Sequence, residues 1–187
     1  NHEAIALLGA AFNSAWLSGC LGADSRPQVE SISKVQSNLV FPHFTTKDIW
    51  ALGNALRARL ILFPTPTVIS ILLPSGSSPR VVFHTITHSG TAPDNDIWVA
   101  RKARTVFRFG VPTWLMHVKF KGDKRAFAAK YGLGSEEAGA YAIHGGAVPI
   151  RVNGVEGVVA CMIVSGLKQH EDHGVVVEVL QEYLQSL

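Results

Sequence analysis

Apolar residues at intervals of three and four predict the helices of this chain. The clearest segment begins after Thr45, a residue type that caps helices well, and its apolar positions are Ile49, Leu52, Leu56 and Leu60. A second helix is predicted from residue 95, where Asp94-Asn95-Asp96 supplies a cap and first-turn acids. The predicted helices in this part of the chain span residues 46–60, 95–109, 124–131 and 171–184.

Runs rich in β-branched and aromatic residues predict two β-hairpins. The first joins residues 67–73 to 80–87, and the second joins 147–152 to 157–164 through a turn that holds Asn153-Gly154. Residues 112–121 fit a helix and a strand equally well. Because hairpins rather than single strands separate the helices, the pattern predicts an α+β fold with helices packed on an antiparallel sheet.

The first 40 residues differ from the rest. Residues 4–23 are almost continuously apolar and predict a helix that packs on its own fold or on another subunit. Leu17-Ser18-Gly19-Cys20 also resembles a bacterial lipoprotein cleavage box, although the positive start of a secretory signal is missing. Residues 22–38 are polar and predict a linker or an extended arm, so we expect an arm over 1–40 and a domain over 41–187.

Composition narrows the class of protein without indicating a chemistry. The chain has 187 residues, of which 47% are hydrophobic and 17% charged, with a mean hydropathy of +0.20. These values exclude an intrinsically disordered chain. Two cysteines cannot form a disulfide framework or a multi-cysteine zinc module. We therefore expect a single-core protein, located in the cytoplasm, without a membrane-spanning segment.

Positive charge is concentrated between residues 101 and 130. This stretch has nine basic residues and one acid, a net charge of +8, whereas the remainder carries −5. The basic residues are Arg101, Lys102, Arg104, Arg108, Lys119, Lys121, Lys124, Arg125 and Lys130. Arg101, Arg104 and Arg108 share a helix face next to Trp98. Such a face fits three interpretations. It is exposed to solvent or contacts an acidic subunit, it binds an anionic small ligand, or, as the weakest of the three, it binds nucleic acid.

A second cluster of chemically capable residues lies between the last predicted strand and the last helix. Ser165 and Gly166 precede the start of the helix, where free N–H groups form a general anion site. Asp172, with the preceding Glu171, is placed to satisfy those groups itself. His170 and His173 are one turn apart and could ligate a metal or haem iron, or His173 could border the core.

The remaining histidines give weaker signals. His84 and His88 lie on one face of their strand, about 13 Å apart, and cannot share a metal ion unaided. His144 precedes the flexible pair Gly145-Gly146, and each of these histidines is expected to be structural or exposed to solvent. The sequence contains no nucleophile elbow, P-loop or dinucleotide-binding glycine pattern, so no catalytic residue is assigned.

Several short motifs together resemble the haem-degrading-domain (HbpS/GlcG-like) superfamily. They are Gly145-Gly146-Ala147-Val148-Pro149-Ile150, Val152-Asn153-Gly154, Gly157-Val158-Val159, Val164-Ser165-Gly166 and Glu171-Asp172-His173. Asp94-Asn95-Asp96-Ile97-Trp98, with Arg101-Lys102 and Arg104-Thr105-Val106, is similar to a subfamily of small bacterial and fungal proteins of undefined activity. The resemblance covers residues 41–187.

The resemblance implies a profilin-like, three-layer α/β/α sandwich around an antiparallel sheet. It also implies a homo-oligomer built from dimers, of the octamer or decamer class. Relatives in this superfamily bind haem or corrinoids, and some are described as haem-degrading. A fungal branch has been connected with chaperone-assisted delivery of tail-anchored membrane proteins.

The leading hypothesis is an oligomeric cytoplasmic protein that binds a ligand, with haem as the cofactor that the resemblance suggests. In this hypothesis arginines hold the haem propionates and His173 ligates the iron. The candidate ligand-binding residues are Arg101, Arg104, Gly145, Gly146, Ser165, Gly166, Asp172 and His173. The competing hypothesis is a non-enzymatic adaptor that recruits chaperones, and nucleic-acid binding is a third, weaker one.

Overall fold

The computed structural model describes residues 25–76 and 78–187. The predicted helix over residues 4–23 and the cleavage box at its end lie outside this range. The helices are α1 Ser25–Asn38, α2 Thr46–Leu60, α3 Pro93–Phe109, α4 Thr113–Lys119, α5 Lys124–Lys130, α6 Ser135–Gly139 and α7 Gln169–Gln185. The strands are β1 Val40–Phe41, β2 Val68–Leu73, β3 Arg80–Ile86, β4 Ala147–Val152 and β5 Ala160–Ser165.

The described strands form a single five-stranded sheet in the order β1-β4-β5-β2-β3. Both predicted hairpins are present, since β2 pairs with β3 and β4 pairs with β5 in antiparallel fashion. The hairpins meet through the antiparallel pair β2 and β5. The two-residue β1 was not predicted, and it adds the sheet's one described parallel pairing, on β4.

Helices cover both faces of the sheet, which confirms the predicted three-layer α/β fold. Alternate side chains of β2 enter two cores, with Ile69 and Ile71 on one face and Val68 and Leu72 on the other. The first core is completed by the apolar stripes of α2 and α7. The second is completed by α3, through Val99, Ala103 and Val106. This alternation follows from the two-residue period of a strand.

The structure corrects the prediction for residues 22–38, which were expected to form a linker or an extended arm. Residues 25–38 form helix α1 instead. Its side chain Ile32 is 2% exposed and packs with Trp114 and Val118 of α4. The polar composition of α1 concealed this contact, because a single narrow apolar face suffices to dock a short helix.

The observed start of α3 differs by two residues from the predicted one, because the helix has a different N-cap. Helix α3 begins at Pro93, and its N-cap is Ala92 rather than a residue of the acidic triplet. The Asn95 side chain closes the cap by accepting a hydrogen bond from the Ala92 N–H, at 2.8 Å. The undecided residues 112–121 contain α4. Within residues 25–76 and 78–187, no helix combines the length and apolar character that crossing a membrane requires.

Candidate functional site

Three segments that are distant in sequence converge on a cavity of about 600 Å³, here called the glycine cavity. They are one face of α3, the segment before β4 that holds Gly145-Gly146, and the connection from β5 to α7. The residues that line the cavity are Asn95, Trp98, Lys102, His144, Ser165, Gly166, Leu167, Lys168, Gln169, His170 and Asp172. Ser165, Gly166 and Asp172 are therefore brought together as the sequence predicts.

A buried ion pair forms the floor of the glycine cavity. Lys102 Nζ lies 3.3 Å from Asp172 Oδ2, and each side chain exposes 3% of its surface. The ammonium group also donates a hydrogen bond to the Val164 carbonyl oxygen, at 2.9 Å. Lys102 thus connects α3 to the end of β5 and to the first turn of α7.

Asp172 holds the loop between β5 and α7 in place. Its carboxylate accepts hydrogen bonds from the Leu167 N–H at 3.0 Å and the Gly166 N–H at 3.4 Å. Burial raises the pKa of Asp172 to about 6, although Lys102 and these two N–H groups oppose that rise. Burial also lowers the pKa of Lys102, against the attraction of Asp172. Each charge of the pair is therefore unfavourably buried and is stabilised by the opposite charge of its partner.

Two carboxylates lie at the start of α7, where the sequence places them. Glu171 accepts a hydrogen bond from the Lys168 N–H, at 3.1 Å, and Asp172 accepts those of Leu167 and Gly166. The acids therefore bind N–H groups just before the helix and add negative charge at its positive end.

Two glycines allow the backbone to approach the ion pair. A Cβ atom on Gly146, whose φ is +112°, would meet the Val164 carbonyl oxygen and would lie 2.9 Å from Lys102 Nζ. A Cβ atom on Gly145 would meet the carbonyl oxygen of Gln169 and would lie 3.2 Å from the ring of Trp114. These two residues, predicted to bind a ligand, do not line the cavity, and they serve instead to let the backbone pack closely against residues that do.

His144 and Trp98 form an aromatic wall of the glycine cavity. Their ring centroids are 4.6 Å apart with an interplanar angle of 74°. Burial lowers the pKa of His144 to about 4, and the neighbouring charges of Lys124 and Lys102 act in the same direction. Its imidazole is therefore neutral at pH 7. The His144 Nδ1 atom is buried and has no hydrogen-bond partner within residues 25–76 and 78–187.

Cations surround the indole of Trp98. The Arg101 guanidinium carbon lies 4.6 Å from the Trp98 ring centroid, and Lys124 Nζ lies 5.9 Å from it. Arg101 also donates a hydrogen bond to the Tyr141 carbonyl oxygen, at 3.2 Å. Arg101 is thus a neighbour of the glycine cavity whose guanidinium is partly engaged elsewhere.

Five of the eight predicted site residues do not line the glycine cavity. Arg101, Gly145 and Gly146 lie beside it, whereas Arg104 and His173 lie elsewhere. Arg104 lines a second cavity, between α3 and the β2–β3 hairpin. His173 is 1% exposed and packs 6.4 Å from Trp114, measured between ring centroids. Burial lowers the pKa of His173 to about 3. His173 thus belongs to the core, which was one of the two alternatives for it.

Sequence reasoning missed Lys102 and His144 as site residues. Lys102 carried a usable signal, because it stands beside Ala103 in the apolar stripe of α3. A charged residue at such a position requires a buried partner. His144 carried no comparable signal. In the described part of the chain, no group of three or more histidine, cysteine, aspartate or glutamate residues is arranged to hold a metal ion.

Comparison with known proteins identifies the family. The model of the family described as "Haem degrading protein HbpS-like" matches residues 44–181. The chain belongs to the HbpS-like family. A UPF0303 protein of Streptomyces coelicolor is 38% identical over 162 residues, which cover 87% of this chain and 97% of the relative. The suspected resemblance is therefore confirmed.

Solved structures of relatives share the fold. The crystal structure of the Ybr137w protein, whose sequence comes from Saccharomyces cerevisiae, superposes with a TM-score of 0.75 at 36% identity. The match covers 84% of this chain and 88% of that one. A double mutant of HbpS from Streptomyces reticuli gives a TM-score of 0.56 at 15% identity, covering 76% and 87% of the two chains. At this low identity, the similarity to HbpS shows that the two proteins share a fold.

Proposed function

We propose that this protein binds a haem-related ligand in the glycine cavity. The observation that carries the proposal is the wall formed by His144 and Trp98, whose ring centroids are 4.6 Å apart. A neutral imidazole suits iron ligation, and an indole offers a flat apolar contact to a porphyrin. Membership of a family described as haem degrading supports the same ligand class.

The residues that line the glycine cavity fit the polar requirements of haem. His144 lines the cavity, and no hydrogen bond from its buried Nδ1 atom to the described residues fixes the tautomer of the ring. His170 lines the same cavity and is the second candidate iron ligand. Lys168 and Lys124 replace the predicted arginines as partners of the propionates, because Lys168 lines the cavity and Lys124 lies beside Trp98. Bound haem supplies a redox-active iron, which these residues bind and orient.

Titration with hemin tests the proposal. The purified full-length protein is expected to give a saturable shift of the Soret band, and His144→Ala is expected to weaken binding at least tenfold. His170→Ala measures the contribution of the second histidine. His43→Gln is the matched control, because His43 is an exposed histidine beside Asp48 and does not line the glycine cavity. The absence of saturable binding, or equal loss in His144→Ala and His43→Gln, would refute the proposal.

We also propose that the protein is a cytoplasmic homo-oligomer of the octamer or decamer class, and that it assembles through apolar side chains exposed on α2 and just after its end. Two large apolar side chains support this surface, since Trp50 is 68% exposed and Leu62 is 74% exposed. Light scattering of a Trp50→Ser/Leu62→Ser variant is expected to show a smaller assembly than the parent protein. An unchanged mass would contradict assembly through these two side chains, and cell fractionation tests the location.

The same surface supports the alternative function as a chaperone adaptor. An adaptor needs an exposed apolar patch that the fold itself does not cover, as Trp50 and Leu62 provide. In this alternative the Trp50→Ser/Leu62→Ser variant keeps its assembly mass and loses capture of chaperones that deliver tail-anchored proteins. A variant that loses mass and retains capture would contradict the adaptor proposal.

A further inference from the structure

A second cavity, here called the hairpin cavity, lies between α3 and the β2–β3 hairpin and has a volume of about 730 Å³. It exists because α3 packs across β5, β4 and β2, while β3 extends past the helix at the edge of the sheet. Among the described residues, none lines both this cavity and the glycine cavity. The two cavities are therefore separate binding spaces on α3.

The middle of the hairpin cavity is apolar. Its floor includes Leu72 and Val99, which are 5% and 6% exposed and belong to the second core. Val81 from β3 and Phe107 from α3 contribute further apolar surface, and Val81 is 54% exposed. An apolar segment of a ligand that covered these side chains would remove that surface from water.

One end of the hairpin cavity is polar and can accept hydrogen bonds. Ser70 Oγ and His84 Nδ1 are 2.8 Å apart, across the pairing of β2 with β3. His84 Nε2 lies 3.7 Å from Asp96 Oδ1 on α3. The carboxylate of Asp96 is 64% exposed, so it retains free capacity for a hydroxyl or ammonium donor.

The other end of the hairpin cavity carries a positive charge. Arg104 lines the cavity and makes no hydrogen bond or ion pair with any residue in the ranges 25–76 and 78–187. Its neighbours on α3 differ, because Arg101 donates to the Tyr141 carbonyl oxygen and Arg108 pairs with Glu137 at 2.7 Å. The Arg104 guanidinium thus has its full donor set available for a carboxylate.

The spacing of the two ends limits the shape of a ligand. Asp96 and Arg104 are eight residues apart on one helix, which corresponds to roughly 12 Å along its axis. We propose that the hairpin cavity binds an elongated amphipathic carboxylate with a hydroxyl or amino group at its far end. The carboxylate pairs with Arg104, the apolar chain lies along Leu72 and Val99, and the far group donates to Asp96.

Calorimetric titration of the full-length protein with 10-hydroxydecanoate tests this proposal, with decanoate and 1-decanol as comparison ligands. Saturable binding is expected for both carboxylates, with 10-hydroxydecanoate the tighter of the two, and 1-decanol is expected to bind at least tenfold more weakly. Absence of saturable binding by either carboxylate, or binding of 1-decanol as tight as that of decanoate, would overturn the proposal.

Three variants test whether the carboxylate binds in the hairpin cavity and whether the position of the arginine, rather than net charge, determines binding. Arg104→Gln is expected to weaken decanoate binding at least tenfold, whereas Arg125→Gln, an exposed arginine with the same loss of charge, is expected to leave it unchanged. Ala100→Trp fills the cavity from an exposed position on its wall and is expected to abolish binding. Equal weakening by Arg104→Gln and Arg125→Gln, or full binding by Ala100→Trp, would overturn the assignment.

The polar end and the independence from the glycine cavity each have their own test. Asp96→Asn is expected to reduce the preference for 10-hydroxydecanoate over decanoate while decanoate still binds, and an undiminished preference would contradict the role of Asp96. His144→Ala is expected to bind 10-hydroxydecanoate as the parent protein does. Loss of that binding in His144→Ala would show that the carboxylate occupies the glycine cavity and would overturn this proposal, whatever the outcome with hemin.

Discussion

Lys102 and Asp172 form an ion pair at 3.3 Å in which each side chain is 3% exposed. The pair joins α3 to the start of α7 below the glycine cavity. Removing one member leaves a buried charge without compensation, whereas removing both leaves none. Each single substitution is therefore expected to lower the free energy of unfolding by more than the loss of one hydrogen-bonded contact would.

A double-mutant cycle measures this coupling. Lys102→Met and Asp172→Asn are each expected to lower the free energy of unfolding by about 3–5 kcal/mol, and the double variant by at least 1 kcal/mol less than the sum. Urea denaturation of the four proteins provides the values. Strictly additive losses would show that the two charges do not compensate each other.

Asp48 and Tyr183 connect α2 to α7 on the opposite side of the sheet. Tyr183 donates a hydrogen bond to Asp48 Oδ1 at 2.7 Å, and the Thr45 N–H and hydroxyl groups donate to Oδ2. Burial raises the pKa of Asp48, but these hydrogen bonds outweigh it and bring the pKa to about 2. Because the pKa is lower in the folded than in the unfolded chain, ionised Asp48 stabilises the fold above pH 4, and this contribution disappears as the pH falls to 2.

The Asp48→Asn variant tests this pH dependence. The difference in unfolding free energy between the parent protein and the variant is expected to shrink by about 2 kcal/mol between pH 5 and pH 2. Tyr183→Phe removes only one hydrogen-bond donor to Asp48. The difference in unfolding free energy between the parent protein and Tyr183→Phe is therefore expected to shrink less over the same pH range. A difference that stays constant over this range would contradict the lowered pKa of Asp48.

The sequence predicted the helices and strands whose caps and apolar positions lie within a single segment of the chain. Helix α2 was predicted at its observed bounds, residues 46–60, because a capping residue and a four-residue stripe lie within one segment. Strand β1 was missed because it has two residues and pairs with β4, more than a hundred positions along the chain. Helix α1 was missed because its docking depends on α4, which no local pattern of α1 reveals.

The candidate site was predicted in part for the same reason. Ser165, Gly166 and Asp172 lie within one short connection, so their proximity follows from the sequence. Lys102 reaches Asp172 across 70 positions, and His144 reaches Trp98 across 46, so only the packing of α3 on the sheet brings these pairs together. The helical spacing of Arg101 and Arg104 was correct, yet the helix directs them to different neighbours.

His173 is expected to make the fold sensitive to acid. Burial lowers its pKa to about 3, whereas a histidine in the unfolded chain takes up a proton near pH 6.5. The unfolded state therefore binds more protons than the native state below pH 6.5, and stability falls as the pH decreases. Between pH 6.5 and 4.5 this effect amounts to about 2 kcal/mol.

Comparison with His173→Met isolates this contribution from that of Asp172. The raised pKa of Asp172 favours the native state as the pH decreases from 6 to 4, so it partly offsets the effect of His173. His173→Met keeps Asp172 and is expected to lose less stability than the parent protein between pH 6.5 and 4.5. Parallel stability curves for the two proteins would contradict a neutral His173 in the core.

Gly146 is expected to tolerate no side chain. A Cβ atom at this position would meet the Val164 carbonyl oxygen and the Asp172 Cβ atom, and its φ of +112° is strained for any L residue. Gly146→Ala is therefore expected to lower the free energy of unfolding by about 3 kcal/mol or more, because the ion pair must separate or the backbone must move. Gly134→Ala is the matched control, since a Cβ atom there has no neighbour within 4 Å. Similar losses in the two variants, measured by urea denaturation, would contradict the close approach of the backbone to Lys102 and Asp172.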